Sequence, residues 1–293
     1  MLIHQTVEEI RQTVKSARSR GLTIGFVPTM GYFHEGHLVL MREAKKFCDF
    51  VIVSIFVNPM QFGPREDFAR YPRDLERDLD LAEKAHVDAV FSPTAEEMYP
   101  AGFSTAVEVE GITESLCGLS RPGHFKGVTT VVAKLFNIVS PDKAFFGQKD
   151  AQQSLVIKRM VRDLQMPLEV VVVPTVREDD GLAMSSRNVF LNSAERKASL
   201  CLKESLETAG RIVAGGELDI SKILNAVRKN ITDEPLAEID YVEILSLPDL
   251  KPVANLSGPV LLAMAVRFGK TRLIDNTVLC PGGVSYVFND VKI

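Results

Sequence analysis

Short apolar runs alternate with stretches of helical spacing along the first 176 residues of the chain. The apolar runs are typical of strands that are buried on both faces, and they lie at residues 22–27, 50–57, 88–93, 143–147 and 168–176. The stretches with helical spacing predict helices at residues 6–19, 36–47, 73–85, 127–139 and 150–164. Because strands alternate with helices, we expect an α/β fold in which helices cover both faces of a parallel sheet.

The pattern changes after residue 176, where a polar, loop-like segment occupies residues 177–188. Two stretches with helical character follow, at residues 193–214 and 219–231. Three strand-like runs come next, at residues 238–246, 259–268 and 271–280. Helices followed by strands are typical of an α+β unit, so we expect one domain over residues 1–176 and a smaller α+β domain over residues 177–293.

Composition narrows the classes of partner. The formal charge of −4 and an isoelectric point near 5.8 provide no positive field that would attract nucleic acid. No apolar run approaches the roughly 20 residues that a bilayer span needs, and no apolar signal segment stands at the N-terminus. The cysteines are far apart and form no CxxC pair: Cys48, Cys117, Cys201 and Cys280. Such cysteines suit a reducing cytosol, so we expect a cytoplasmic protein. From the charge and the lack of a long apolar run, we expect no nucleic-acid or membrane partner.

The stretch PTMGYFHEGH, at residues 28–37, places two of the five histidines at a predicted transition from strand to helix. The first turn of a helix has unpaired N–H groups and about half a positive charge, so it attracts phosphate. His34 and His37 are three residues apart and would lie on one face of that turn, where they add hydrogen-bond donors. Gly31 and Gly36 leave room for a flat ligand to approach the backbone. These features predict a nucleotide site.

Two other interpretations of these histidines stay open. A single histidine in a helix is more often structural than catalytic, although a pair between glycines favours a site. The sequence HEGH could also suggest zinc, but the spacing is not HExxH and no third ligand is apparent. We therefore expect no metal site built from protein ligands.

The same stretch resembles the HxGH signature of the nucleotidylyltransferase superfamily, which is related to class I aminoacyl-tRNA synthetases. Four longer motifs, at residues 53–74, 120–153, 176–191 and 271–276, are similar in order to those of the pantothenate synthetase (pantoate–β-alanine ligase) family. One departure is GYF at residues 31–33, where the family often has Gly-Ala-Leu. The resemblance implies a Rossmann-like first domain that binds nucleotide and pantoate, and a second domain that carries the MSSR loop and covers the site.

The resemblance also implies an activity. Members of this family are AMP-forming ligases that join pantoate to β-alanine at the expense of ATP. Pantoyl adenylate forms first, and the amine of β-alanine then displaces AMP, which yields pantothenate, a precursor of coenzyme A. ATP is therefore a substrate, and Mg²⁺ would be bound mainly through the ATP phosphates. The family forms homodimers, so we expect a homodimer.

Roles for individual residues follow from the same resemblance. The implied catalytic residues are His34, His37, Lys149, Ser185, Ser186 and Arg187, with His37 as the proton donor. The implied ATP-binding residues are Met30, Gly31, Tyr32, Phe33, His34, Glu35, Gly36, His37, Gly147, Gln148, Lys149, Asp150, Val176, Met184, Ser185, Ser186 and Arg187. Gln61 and Gln153 would bind pantoate, and Gln61 would also contact β-alanine. Met30 and Phe62 would supply apolar surface.

Side-chain chemistry fits the roles implied for the MSSR loop, although a plainer explanation exists. Ser185 and Ser186 can donate hydroxyl hydrogen bonds to phosphate, and Arg187 has a planar fork of charged donors. The segment could instead cap the next helix, a role for which Ser193 is better placed than Ser186.

Two further motifs allow more than one interpretation. Lys149 follows a predicted strand, so its ammonium would lie at the carboxyl edge of the sheet, but GQKD could also be a simple solvated turn. Arg121 and His124 could contact substrate or order a loop over the site.

Other functions stay open as alternatives. An adenylyltransferase would share the HxGH signature but would leave the nucleotide on its product. A non-catalytic nucleotide-binding module would not need the residues that suit a second substrate. A tRNA synthetase is disfavoured, because the chain is short and acidic and lacks a basic anticodon-binding region.

Overall fold

A six-stranded parallel sheet organises the first part of the chain, in the spatial order β1-β4-β3-β2-β5-β6. The computed structural model describes residues 1–64 and 66–285. The strands are β1 (Leu2–His4), β2 (Ile24–Thr29), β3 (Phe50–Ile55), β4 (Ala89–Phe91), β5 (Lys143–Gly147) and β6 (Glu169–Val173). The carboxyl ends of β2, β3, β5 and β6 therefore open on the same edge of the sheet.

Helices cover both faces of this sheet. They are α1 (Val7–Ser19), α2 (Glu35–Phe47), α3 (Leu75–Lys84), α4 (Ala95–Met98), α5 (Leu116–Ser120), α6 (His124–Val139) and α7 (Ala151–Asp163). Successive side chains of a strand point to opposite faces. Phe26 and Phe146 accordingly pack with α1, α6 and α7, whereas Val27 and Phe145 pack with α2 and α3. The expected α/β fold with helices on both faces is confirmed.

A second, antiparallel sheet follows, in the order β10-β9-β8-β7. This part comprises α8 (Ser193–Ala198), α9 (Cys201–Ala214), α10 (Ile220–Thr232), β7 (Ala237–Ser246), β8 (Val260–Phe268), β9 (Thr271–Cys280) and β10 (Gly283–Ser285). Leu262 and Met264 of β8 pack with α9 and α10, while Leu261 and Ala263 join the core of the first part. The smaller α+β unit is confirmed, and its sheet lies against the parallel-sheet part. The division at residue 176 stays a prediction. None of the described helices combines the length and apolar character that a bilayer span requires.

Some predicted boundaries are wrong for local reasons. The predicted helix over residues 193–214 is two helices, because Ser199 is buried and its hydroxyl donates to the carbonyl of Arg196, which competes with regular helix bonding. The strand expected at residues 22–27 begins at Ile24, since the backbone N–H of Thr23 donates to Asp49 instead of joining the sheet. The three-residue strands β1 and β10 were too short to be predicted from periodicity.

The cap of α8 is also not the residue that we expected. Ser193 is the first residue of the helix, and Asn192 caps it by accepting hydrogen bonds from the N–H groups of Ala194 and Glu195, both at 3.0 Å. Glu195 in turn accepts from the N–H of Asn192 at 3.0 Å, which completes a capping box. Helix α8 therefore does not need Ser185 or Ser186 as its cap, although Ser185 caps the 3₁₀ turn Ser186–Phe190 by accepting from the N–H of Arg187 at 3.2 Å.

Close packing of α6 against a 3₁₀ turn positions one wall of the cavity described in the next subsection. Gly127 of α6 lies against a 3₁₀ turn at Pro59–Gln61, and its carbonyl accepts a hydrogen bond from the Asn58 amide at 3.0 Å. A Cβ atom at residue 127 would lie 2.6 Å from the backbone nitrogen of Gln61 and closer still to the carbonyl of Met60. Only glycine lets the two backbones approach this closely.

We predict that Gly127→Ala lowers the free energy of unfolding by about 1–3 kcal/mol, because the added methyl group overpacks this contact. Gly258→Ala is the matched control, since no heavy atom lies within 4 Å of a Cβ at that position. Urea denaturation measures both variants. Equal stability of the two variants would contradict the prediction, because it would show that the Pro59–Gln61 turn shifts to accommodate the methyl group without a cost in stability.

Candidate active site

A cavity of about 220 Å³ opens at the carboxyl ends of β2, β3, β5 and β6. It brings together most of the residues for which the resemblance implies a role: Met30, His34, Gly36, His37, Gln61, Phe62, Gly147, Lys149, Asp150, Gln153, Val176, Met184, Ser185, Ser186 and Arg187. The members of this set are distant in sequence, so their convergence is a property of the fold. Their contact with a ligand stays a prediction.

Five other residues of the implied set do not line this cavity: Gly31, Tyr32, Phe33, Glu35 and Gln148. Phe33 is fully buried in the core beneath α2. Gln148 is buried as well, and Glu35 is exposed and paired with Arg42. The side chains of Phe33, Glu35 and Gln148 thus do not face this cavity, and the ATP-binding roles implied for all five residues stay predictions.

A larger cavity of about 730 Å³ adjoins the first, between the parallel-sheet part and the antiparallel sheet. The two cavities share a wall formed by Arg121, His124, Lys149, Asp150, Gln153, Ser185 and Arg187. Strand β9 lines the far side of the larger cavity. The shared wall is rich in cationic groups although the chain as a whole is acidic.

Backbone amides determine which nitrogen of each imidazole carries the proton. His34 is the N-cap of α2, and its Nδ1 accepts a hydrogen bond from the N–H of Gly36 at 3.1 Å. The Nδ1 of His37 accepts from the N–H of His34 at 3.3 Å. Each neutral ring therefore carries its hydrogen on Nε2. The ring centroids are 4.1 Å apart, so two Nε2–H donors lie side by side at the start of α2.

Both rings are neutral at physiological pH. Burial, aided by the charge of Lys149, lowers the pKa of His34 to about 4. Burial also lowers the pKa of His37 well below its usual value, with His34 and Lys149 adding to the effect. A neutral imidazole donates one hydrogen bond but has no second proton to release. In this geometry the Nε2–H of His37 is thus a hydrogen-bond donor, and the implied role of His37 as proton donor stays a prediction.

A buried carboxylate holds the turn that precedes α2. The backbone is left-handed at Gly31 and Tyr32, with φ of 80° and 53°. Asp78, on α3, accepts hydrogen bonds from the N–H groups of Tyr32 at 2.6 Å and Phe33 at 2.7 Å. A Cβ at Gly31 would lie 2.8 Å from the carboxylate, so this position favours glycine both sterically and conformationally. Sequence analysis missed Asp78, because one acidic residue in a charged helix carries no distinguishing local signal.

The Gln61 side chain is oriented by its neighbours. Its Nε2 donates to the sulfur of Met30 at 3.1 Å, and its Oε1 accepts from the Asn58 amide at 3.1 Å. The Oδ1 of Asn58 accepts in turn from the Tyr99 hydroxyl at 2.8 Å. Asn58 is buried and lines the cavity, yet sequence analysis did not single it out. Its place in the family motif at residues 53–74, where it begins the sequence NPMQF, was the available signal.

Arg121 and His124 order the loop that carries Gln61. The Nδ1–H of His124 donates to the carbonyl of Gln61 at 2.9 Å, which leaves Nε2 to accept from Arg121 at 3.1 Å. The fork of Arg121 also donates to both carboxylate oxygens of Glu66, at 2.7 and 2.6 Å. Burial, together with the charge of Arg121, lowers the pKa of His124 to about 4, so this ring is neutral too. Of the two roles considered above, the geometry favours loop ordering.

Arg187 of the MSSR loop is paired with a carboxylate in this structure. Its Nε and Nη2 donate to the two oxygens of Asp67, at 2.9 and 3.1 Å. The hydroxyl of Ser185 accepts from the N–H of Arg187 at 3.2 Å, and that of Ser186 donates to the carbonyl of Tyr32 at 3.4 Å. The MSSR loop is thus joined to the turn before α2. A phosphate could replace Asp67 on this edge of the guanidinium or bind the donors that remain on Nη1.

We predict opposite tautomers for histidines of the same molecule: hydrogen on Nε2 for His34 and His37, and on Nδ1 for His124. Long-range ¹H–¹⁵N correlation spectra of ¹⁵N-histidine protein measure this directly. The unfolded chain binds protons to these rings below about pH 6.5, whereas the folded protein resists protonation until about pH 4 for His34 and His124. Their contribution to the free energy of unfolding should therefore fall as pH drops through that window. A titration of His34 near pH 6.5 would contradict this description.

Comparison with known proteins agrees with the geometry. The sequence model of the family described as pantoate-beta-alanine ligase matches residues 2–278. Pantothenate synthetases of Pelotomaculum thermopropionicum and Moorella thermoacetica are 64% and 60% identical over 279 residues, which is 95% of this chain and 99% of each relative.

Solved structures lead to the same family. A pantothenate synthetase from Thermus thermophilus is 48% identical with a TM-score of 0.90, and the match covers 94% of this chain and 98% of that one. A pantoate-beta-alanine ligase from Francisella tularensis, solved in complex with beta-gamma ATP and beta-alanine, is 34% identical with a TM-score of 0.78 over 94% of this chain and 97% of that one. The chain belongs to the pantoate-beta-alanine ligase family.

Proposed function

We propose that the protein condenses pantoate with β-alanine at the expense of ATP, releasing AMP and pyrophosphate, and so supplies pantothenate for coenzyme A synthesis. The observation that carries the proposal is the gathering of the family's motif residues around one cavity in a chain that matches the family over residues 2–278. The Francisella relative, whose structure was solved in complex with beta-gamma ATP and beta-alanine, supports both substrates.

In the first half-reaction, a carboxylate oxygen of pantoate attacks the α-phosphorus of ATP, and the bond to pyrophosphate breaks. A carboxylate is already ionised at neutral pH, so this step needs no general base. The obstacle is repulsion between two anions. Neutral Nε2–H donors from His34 and His37, with the ammonium of Lys149, would stabilise the charge that builds on the phosphates.

In the second half-reaction, the amine of β-alanine attacks the acyl carbon of pantoyl adenylate, AMP leaves with its phosphate oxygen, and the nitrogen loses a proton. Gln61 and Gln153 line the cavity, and we assign them to pantoate, with Gln61 also near β-alanine. The gem-dimethyl group of pantoate needs an apolar wall, which Val128, Val131 and Val132 of α6 provide.

We propose that Mg²⁺ enters with ATP as part of the substrate and is held mainly by phosphate oxygens. The groups at the start of α2 are hydrogen-bond donors, and the shared wall has three cationic side chains and one carboxylate, that of Asp150, a set that suits phosphate oxygens better than a metal ion. In the described part of the chain, no cluster of three or more histidine, cysteine, aspartate or glutamate side chains is arranged to hold a metal. The chemistry of the site thus fits the nucleotide.

The second domain would act as a cover. We propose that residues 177–293 carry the MSSR loop over the site, since residues 184–187 and part of β9 line the cavities. Bound nucleotide would compete with Asp67 for the guanidinium of Arg187.

We predict that amide hydrogen exchange at residues 184–190 slows when ATP and pantoate are present. Unchanged exchange would oppose this covering role.

The function is tested by incubating the protein with ATP, Mg²⁺, pantoate and β-alanine, omitting each in turn, and following products by mass spectrometry. We expect free AMP and pantothenate only with all four components, and pantoyl adenylate when β-alanine is omitted. Chelation of Mg²⁺ should stop both products. AMP retained in the final product would identify an adenylyltransferase, and no turnover would favour a binding module.

We predict that His37→Ala lowers turnover by about 10²–10³-fold, as expected for loss of a preorganised donor to the transition state. Binding of ATP should weaken much less, because the backbone donors of the helix start remain. His86→Asn is the control, since His86 is exposed outside the site and asparagine tolerates its left-handed backbone. Stopped-flow turnover and calorimetric ATP binding measure the two effects. Near-normal turnover of His37→Ala would remove this residue from the mechanism.

We also propose a homodimer. The segment at residues 104–110 lies outside helices and sheets, with Val107 and Val109 packed on the core and Glu108 and Glu110 exposed. Such strand-like alternation on backbone that joins no sheet suits pairing with a second copy. Light scattering should give twice the chain mass of 32.4 kDa, and a monomer at micromolar concentration would refute the proposal.

A cytoplasmic location is proposed on the thiols of this chain. All four cysteines are free, and three of them are buried, which suits a reducing compartment. Cell fractionation tests this, and recovery in a membrane or extracellular fraction would oppose it.

A further inference from the structure

Strand β9 of the antiparallel sheet contacts the turn that carries Lys149. Asn276 lies near the middle of β9, and its side chain is buried. The Nδ2 group of Asn276 donates to the carbonyl of Gln148 at 3.0 Å and to the carbonyl of Lys149 at 2.9 Å. Both hydrogens of the Asn276 side-chain amide are therefore hydrogen-bonded to consecutive carbonyl groups of one 3₁₀ turn, Gln148–Asp150.

Chemistry determines the orientation of this amide. Two carbonyl oxygens can be satisfied only by the NH₂ end, because Oδ1 has no hydrogen to donate. In the described part of the chain, Oδ1 of Asn276 has no hydrogen-bond partner, and the residue lines the larger cavity. A buried amide oxygen without a partner is costly, so the two bonds on the other side must outweigh that cost.

The position of the Lys149 ammonium depends on its backbone. No ion pair or side-chain hydrogen bond of this ammonium is found among residues 1–64 and 66–285. Gly147, two residues earlier, has no side chain to pack, and its carbonyl accepts a side-chain hydrogen bond from the Ser154 hydroxyl at 3.3 Å. Within residues 1–64 and 66–285, Asn276 thus supplies the two shortest side-chain bonds to the backbone of residues 147–149.

Asp275, the residue before Asn276, supports the segment that leads into the MSSR loop. Asp275 accepts two hydrogen bonds from Arg177, at 2.7 and 3.0 Å, and Arg177 donates to the carbonyl of Gly181 at 3.0 Å. Residues 177–183 form the turn that leads into the MSSR loop. Two consecutive residues of β9 therefore support two segments that face one cavity.

We infer that Asn276 is a positioning residue for adenylate formation. It holds the peptide groups of Gln148 and Lys149 so that the ammonium of Lys149 lies at the shared wall of the two cavities, where the phosphates are expected. The inference rests on the proposed function, and it extends that function to a residue of the second domain that does not itself need to touch substrate.

A double-mutant cycle tests the inference. Single-turnover formation of pantoyl adenylate, with β-alanine omitted, is measured for wild type, Asn276→Ala, Lys149→Ala and the double variant. We expect Asn276→Ala to lower this rate about 10- to 100-fold, the scale of a group displaced by about 1 Å. The double variant should be no slower than Lys149→Ala alone, because both changes remove the same interaction. A purely structural role would not produce this non-additivity.

Two further variants control for folding. Asn276→Asp keeps the shape of the side chain but places carboxylate oxygens against the two carbonyls, so it should lose at least as much rate. Asn230→Ala removes a comparable amide bond, to the Thr208 hydroxyl at 2.8 Å between α10 and α9, and should retain the wild-type rate. All rates are divided by the folded fraction from circular dichroism, so unfolding alone cannot imitate the effect.

The outcomes separate the inference from the proposed function. Losses that multiply in the double variant, or a wild-type rate in both Asn276 variants, would overturn the inference and leave the function intact. Failure of the wild-type protein to form pantoyl adenylate or AMP would instead overturn the proposed function.

Discussion

The site depends on two backbone N–H groups that donate to imidazole nitrogens at the start of α2. Gly36 and His34 donate to the Nδ1 atoms of His34 and His37, so the hydrogen of each neutral ring lies on Nε2. Burial keeps both rings uncharged. A neutral donor needs no counter-ion and therefore fits beside the Lys149 ammonium, whereas two imidazolium cations there would repel it. The left-handed turn and the Asp78 carboxylate hold the backbone that makes this arrangement possible.

The arginines around the cavity are compensated by carboxylates of opposite charge. Arg121 and Arg187 are each paired with a carboxylate of the short acidic sequence Glu66–Asp67. A partly buried guanidinium without an acceptor would be costly, so the pairs hold both arginines in place before any ligand arrives. The Lys149 ammonium differs from the two arginines. We infer that it is positioned by its own backbone, which Asn276 holds through the carbonyls of Gln148 and Lys149.

Prediction from sequence succeeded where the signal is local or carried by a motif. Alternation and helical spacing predicted the layered α/β part and the smaller α+β part, and the HxGH and MSSR segments lie together at the cavity. It assigned no role to Asp78, Asn58 or Asn276, although Asn58 and Asn276 lie in the motifs at residues 53–74 and 271–276. The carboxylate of Asp78 accepts from Phe33, Asn58 accepts from Tyr99, and Asn276 donates to Gln148, so each holds a partner that is distant in sequence. A single polar residue in an amphipathic element looks the same whether it faces solvent or holds a distant backbone.

The sequence alone determined the order of the elements, the apolar faces that bury them and the types of reactive group, because hydrophobic periodicity and side-chain chemistry are properties of neighbouring residues. The tertiary structure alone decided the tautomers of the histidines, the pairing of Arg187 with Asp67 and the support of the Lys149 turn by β9. Each of these needs a donor and an acceptor about 3 Å apart, and only the packing of distant segments creates such distances.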